Sequence, residues 1–141
     1  MAHPSEPEIL RLAVQAADSS YSPYSRFRVG AAALWNTADE AVTVGCNVEN
    51  AFYEAAHAEV VAMTTGASKG YRQLRAIYIA CPDLAADSRL ELAVPCGYCR
   101  QWMSEFAADG DIEVVLVSGS ADVRSRFQLF RDLLPMPFRL R

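Results

Sequence analysis

Two stretches of this 141-residue chain, "IYIAC" at residues 77–81 and "VVLV" at 114–117, are almost uninterrupted apolar runs of strand length. A strand that is apolar on both faces must lie inside a sheet covered on both sides, so these runs demand helices on each face. The rest of the chain supplies them. Ser5 and Glu8 stand at capping-box spacing, and Ile9, Leu12, Ala13 and Ala16 follow at helical intervals, which predicts a helix from about Glu6 to about Ser19. "RVGAAALW" and "AVTVGC", separated by the turn "NTADE", predict an antiparallel hairpin. "NVENAFYEAA" is polar and irregular and reads as a loop, and an apolar helix begins at His57 and ends near Gly66 or Gly70. "PDLAADSRLELAVP" reads as a crossing loop, a helix starts after Pro95, and "RSRFQLFRDLL" is expected to be a final helix before "PMPFRLR". The order implies an α/β fold: a mixed sheet of four or five strands with helices on its faces, in one domain spanning residues 1–141.

Composition narrows what such a domain can do. A formal net charge of −4 disfavours nucleic-acid binding, which requires basic surface to displace counterions. The late arginines 124, 126, 131, 139 and 141 read as a solvated basic face. No run approaches the ~20 apolar residues of a membrane span, and "MAHPSEPEIL" lacks a signal-peptide layout, so a cytoplasmic location is expected. In a reducing compartment four cysteines read as metal ligands or core residues. Cys46 and Cys81 follow apolar runs and are expected to pack as small hydrophobes.

Cys96 and Cys99 are different. Three positions apart in the first turn of a helix, they share one face, where free N–H groups and the helix dipole favour thiolate. C-x-x-C alone suits a metal or a redox pair. His57 also begins a helix, and if the two helices lie side by side, His57, Cys96 and Cys99 meet as three ligands of a zinc ion with a fourth position open to water. Glu59, two residues after His57, then passes beside the ion without binding it and can shuttle protons. His57-Ala58-Glu59 followed by Pro95-Cys96-Gly97-Tyr98-Cys99 is the H-x-E and P-C-x-x-C signature of zinc-dependent base deaminases.

With those residues in view, the chain resembles the small, homotetrameric class of cytidine deaminases along nearly its whole length. "YSPYSRFRVGAA", "GCNVENAFY", "PCGYCRQ", "SEF" and "LLPMPF" match family blocks in order. The resemblance implies a three-layer α-β-α sandwich with about five strands and one Zn²⁺ per subunit. It implies hydrolysis of cytidine or deoxycytidine to the uridine and ammonia, with a metal-held hydroxide attacking C4 and Glu59 moving the protons. It assigns the metal to His57, Cys96 and Cys99, the ribose hydroxyls to Asn47 and Glu49, and contacts with the substrate to Phe27 and the backbone of Ala58. Phe138 corresponds to an aromatic that reaches a neighbouring subunit's site, so a homotetramer with shared sites is implied, its partner a pyrimidine nucleoside rather than nucleic acid or membrane. A carboxylate and an amide on one loop also suit a vicinal diol on their own chemistry.

Three positions depart from the class. His57 stands where a Cys is usual and Val60 where an Arg is usual; a neutral imidazole with two thiolates sums to zero charge on Zn²⁺, which removes the arginine's purpose. Phe52 replaces a small residue and is expected to reshape the pocket, so a modified cytidine or a blasticidin-like nucleoside antibiotic is the alternative substrate. A nucleic-acid-editing deaminase would need a basic surface, and a structural zinc module or redox protein would leave His57 and Glu59 without a role.

Overall fold

The computed structural model describes residues 2–108 and 110–140. A five-stranded sheet, in the order β2-β1-β5-β6-β7, forms the middle layer. Strand β1 (Gly30–Trp35) pairs antiparallel with β2 (Val42–Cys46) on one side and with β5 (Leu74–Ala80) on the other. Strand β5 pairs parallel with β6 (Glu113–Val117), and β7 (Val123–Gln128) returns antiparallel to β6. A short antiparallel ladder, β3 (Val48–Glu49) with β4 (Ala55–Ala56), occupies the segment expected to be plain loop. Only two residues pair on each side, and the exposed tip between them hides the alternation in the sequence.

Helices cover both faces, as the apolar strands require. Helix α1 (Glu6–Ala17) starts where Glu8 accepts hydrogen bonds from the backbone N–H and hydroxyl of Ser5 at 2.7 and 2.8 Å. Its Ile9, Leu10 and Ala13 pack on Ala32, Leu34, Ala76, Tyr78 and Val115 of one sheet face. Helices α2 (Ala58–Ser68) and α3 (Gly97–Glu105) cover the other, where Ala62, Met63, Met103 and Phe106 close over Trp35, Ile77, Ile79 and Val114. Ala58, Ala62 and Gly66 recur at four-residue intervals and turn a smooth stripe to the sheet. A Cβ on Gly45 of β2 would lie 2.5 Å from the Ala62 nitrogen, so α2 rests on bare strand backbone there. Trp35 is fully buried; its indole N–H donates to Thr43 Oγ1 at 2.8 Å, and that hydroxyl donates to the Ala62 carbonyl at 2.7 Å.

The last helix expected from the sequence is instead strand β7 followed by a single π-type turn over Leu129–Leu133. Phe127, Phe130 and Leu133 imitate a helical period, but 123–128 pairs with β6, and the carboxylates of Asp111 and Asp132 accept the amides of Phe130, Arg131 and Gln128. The Leu134 N–H closes the wide turn on the Leu129 carbonyl, and Pro135 ends it. Three of the late arginines carry partners on that surface. Arg126 pairs with Glu6 and Glu113 at 2.7 and 2.9 Å, Arg131 pairs with Asp132, and Arg124 donates to the carbonyls of Ala86 and Ser88. Arg141 lies outside the described residues. Among the described residues no helix is long and apolar enough to cross a membrane.

Candidate active site

The start of β1 meets the ends of β2 and β5, since Gly30 stands opposite both Cys46 and Ala80. The N-termini of α2 and α3 open at this same end of the sheet. His57 and Cys96 are the N-cap residues of the two helices, so each has extended backbone and a side chain free to turn across the gap. Their Cβ directions converge: His57 Nδ1 lies 3.4 Å from Cys96 Sγ and 3.3 Å from Cys99 Sγ. A tetrahedral Zn²⁺ holding a nitrogen at ~2.05 Å and a sulfur at ~2.3 Å would place those atoms about 3.6 Å apart, so the donor set fits the ion in spacing as well as in chemistry. His57, Cys96 and Cys99 are placed to bind a metal ion, their ligand atoms all within 4.8 Å of one another. The Tyr98 ring meets the His57 imidazole edge-on, with centroids 5.4 Å apart, and limits its rotation.

Glu59 stands outside that ligand group, yet its Oε2 is 3.0 Å from Cys99 Sγ. Only 6% of it is exposed, which is unusual for a carboxylate. Helix position alone led to the expectation of a more acidic thiol at Cys99. The pair reverses this: burial, and then the charge of Glu59, push the Cys99 thiol well above its ordinary range. The free N–H groups of the helix end are outweighed because Cys99 is fully buried. A dication held by His57, Cys96 and Cys99 would supply the opposite charge that favours the thiolate. Cys81 is buried nearby and is likewise pushed up to about 12 by burial and then by Glu59, so it packs as the expected small hydrophobe; Cys46 is half-buried.

Next to the metal group is a cavity of about 230 Å³ lined by Phe27, Asn47, Glu49, Ala58, Glu59 and Cys96, among others. Five of the six substrate-side and catalytic residues singled out from the sequence therefore meet at one cavity. The sixth, Phe138, does not: it lies along α3, 67% exposed, with its carbonyl accepting from Gln101 Nε2 at 2.9 Å. Phe52 does not line the cavity either. It projects from the tip of the β3–β4 hairpin, 84% exposed, so within the chain it does not reshape the pocket as expected.

Sequence reasoning missed Ser25, Val29 and Ala55, which complete the wall. Ser25 donates to the Glu49 carboxylate through its hydroxyl, and Glu49 also accepts the N–H groups of Tyr24 and Ser25 at 3.1 Å each. These donors, the Ser25 hydroxyl first, hold Glu49 below the usual carboxylate range. Asn47 is more occupied than a turn residue or a pure ligand would be. Its Oδ1 accepts from the Ser20 hydroxyl at 2.5 Å and the Val29 N–H at 2.9 Å, while its Nδ2 donates to the Phe27 carbonyl at 2.7 Å. It fastens the wall that carries Phe27 and Val29. Such a long-range role leaves no mark in local sequence.

A three-layer sandwich that gathers a His-Cys-Cys metal group and a buried glutamate at two helix ends is the architecture of a zinc-dependent hydrolytic deaminase. Residues 4–116 match the cytidine and deoxycytidylate deaminase zinc-binding region. The chain is 38% identical over 131 residues to a cytidine deaminase of Halalkalibacterium halodurans, a match covering 92% of this chain and 91% of that one. The crystal structure of cytidine deaminase from Burkholderia pseudomallei superposes with a TM-score of 0.80 at 36% identity, covering 96% of this chain and 100% of the other. That from Mycobacterium tuberculosis gives 0.70 at 33% identity, covering 94% and 95%. The chain belongs to the cytidine and deoxycytidylate deaminase family.

Proposed function

We propose that the protein hydrolyses cytidine and deoxycytidine to the corresponding uridine and ammonia, with zinc held by His57, Cys96 and Cys99. The observation that carries this reading is the placement of Glu59, buried beside the ligands and facing the cavity that Asn47 and Glu49 share. When bound, zinc acidifies a water and presents it as the nucleophile. Glu59 moves two protons in turn, one from the attacking water to the ring nitrogen, which the uridine keeps, and one from the hydroxyl added at C4 to the amine, which leaves as ammonia while C4 becomes a carbonyl; its burial limits competition from bulk water. Phe27 and the Ala58 backbone, both on the cavity wall, hold the base.

The sugar is read by what the wall residues have left. Asn47 has used both lone pairs of Oδ1 and one of its two N–H donors; Glu49 has used three of roughly four acceptor sites. One donor and one acceptor remain, and a single hydroxyl satisfies both. On this reading one hydroxyl suffices, and the deoxynucleoside is expected to be a substrate beside the ribonucleoside. The outward position of Phe52 favours the plain nucleoside over a modified base or blasticidin-like substrate. Met136, Phe138 and Leu140 are 89%, 67% and 90% exposed, an apolar tail suited to a neighbouring subunit and in keeping with a homotetramer that shares its sites.

Ammonia release from cytidine by wild type and by Glu59→Gln tests the chemistry. The variant is expected to keep its zinc and to lose about 10²- to 10⁴-fold in turnover, the usual range for a general acid–base. Zinc-loaded wild type that leaves cytidine untouched would overturn the substrate, and an active Glu59→Gln would overturn the shuttle. Truncation after Leu134 is expected to lower both activity and oligomer size; a fully active monomer would refute the shared site.

A further inference from the structure

Arg100 follows the ligand Cys99 directly, yet it makes no ion pair among the described residues. It spends its donors on two backbone carbonyls far apart in sequence. Nε donates to the Pro95 carbonyl at 2.8 Å and Nη1 to the Leu133 carbonyl at 2.9 Å. The first acceptor belongs to the peptide plane that joins Pro95 to Cys96, and Pro95 is fully buried. That plane sets the direction in which Cys96 leaves the backbone. The second acceptor lies at the end of the π-type turn, where the C-terminal tail departs. Gln101, the next residue, holds the far part of the same tail through the Phe138 carbonyl at 2.9 Å.

We infer that Arg100 is a positioning residue that couples the metal group to the C-terminal tail, so that metal occupancy and tail order support one another. The inference rests on the zinc role proposed above for His57, Cys96 and Cys99. The physical argument is short. A guanidinium is a rigid fork, so its two carbonyls cannot move independently while both bonds persist. Cys96 drawn into place by the ion fixes the Pro95 peptide, the peptide fixes the fork, and the fork fixes Leu133. The coupling must also run in reverse, because a free energy linking two sites is reciprocal. With the fork gone, Cys96 loses the bond that aims it, and groups that orient metal ligands are typically worth 10- to 100-fold in metal affinity.

Two measurements on the full chain decide the matter. The first is the rate at which zinc passes to a chromogenic chelator from wild type, Arg100→Met, Arg100→Lys and Arg72→Met. Arg72 is the control, because it too donates to two carbonyls, those of Ala67 and Tyr71, both at 2.8 Å but at the other end of α2. Arg100→Met is expected to release zinc about 10- to 100-fold faster, Arg100→Lys to fall between, and Arg72→Met to match wild type. The second is amide exchange by mass spectrometry across residues 133–140 of wild type, before and after zinc removal. Exchange in the tail is expected to rise on zinc removal while that of α1 holds steady. Zinc release from folded Arg100→Met at the wild-type rate overturns the coupling alone. If that variant does not fold, tail exchange indifferent to zinc in wild type overturns it equally. Purified wild type that neither holds nor takes up zinc overturns the function proposed above and this coupling together.

Discussion

Asn47→Ala separates two accounts of one residue. If Asn47 served only to greet a sugar, its loss would weaken substrate binding and leave the protein as stable as before. The structure gives it three internal bonds instead, to the Ser20 hydroxyl, the Val29 N–H and the Phe27 carbonyl, from a side chain only 9% exposed. At about 1 kcal/mol net for each hydrogen bond the loss is ~3 kcal/mol, a large part of a typical domain's stability. At a few degrees per kcal/mol for a chain of this size, the melting temperature should fall by roughly 10 °C. KM should rise in the same variant, because the wall carrying Phe27 and Val29 is no longer fastened. Asn47→Asp sharpens the test. It keeps both acceptor bonds of Oδ1 but sets a carboxylate oxygen against the Phe27 carbonyl, where Nδ2 stood at 2.7 Å. It should therefore be destabilised too at neutral pH. Thermal melts and steady-state kinetics on the two variants suffice. An Asn47→Ala protein that melts within 2 °C of wild type, by the same scale, with KM raised, would refute the fastening role and leave only the sugar contact.

Thr43→Val removes the hydroxyl between the Trp35 indole and the Ala62 carbonyl, stranding a buried N–H. A urea midpoint lower by the equivalent of about 2 kcal/mol, with KM and zinc content unchanged, is expected; an unchanged midpoint would count against this bridge. Acid should act through Glu49, Asp83 and Asp132, whose pKa values the fold lowers: Glu49 by the Ser25 hydroxyl and neighbouring amides, Asp83 by the Arg28 side chain and N–H, and Asp132, to about 2, by Arg131. A depressed folded-state pKa gives a contribution complete above the unfolded value and lost as pH falls through the folded one. Stability of the zinc-depleted protein should therefore be flat from pH 7 to about 5 and decline below about 4. Urea titrations at pH 7, 5 and 3 check this, and equal midpoints at pH 5 and 3 would contradict it.

Local pattern revealed those parts of the molecule whose cause is local. The apolar strands announced a covered sheet, the Ser5–Glu8 pair announced α1, and His57-Ala58-Glu59 with the Pro95–Cys99 block announced the metal group. What escaped depends on partners distant in the chain. Residues 123–128 are a strand because β6 offers them an edge, and Phe127, Phe130 and Leu133 mislead because their helical spacing straddles that strand and the π-type turn after it. Ser25 and Asn47 look like turn residues, and only the fold shows that one orients Glu49 and the other pins the cavity wall. Phe52 misled for the opposite reason: a large residue beside a binding motif suggests a smaller pocket, but the hairpin carries it away from the cavity.

The stripe of Ala58 and Ala62 on the bare backbone at Gly45, with Gly66 on the Trp35 ring, bears on how this enzyme can change. Most helices float on a cushion of side chains that can be repacked, and such helices drift as sequences diverge. Here the first turns of the helix that carries Glu59 and is capped by His57 meet strand backbone at Gly45, so the height of that end above the sheet is set by the backbone itself. Any bulkier residue along that line would lift imidazole and carboxylate together and pull the first away from its two sulfurs. New substrates are therefore reached through the wall residues carried on other elements, Ser25, Phe27 and Val29, which can change without moving that helix. The reaction centre sits at a fixed height above the sheet, and the cavity around it is what can be reshaped.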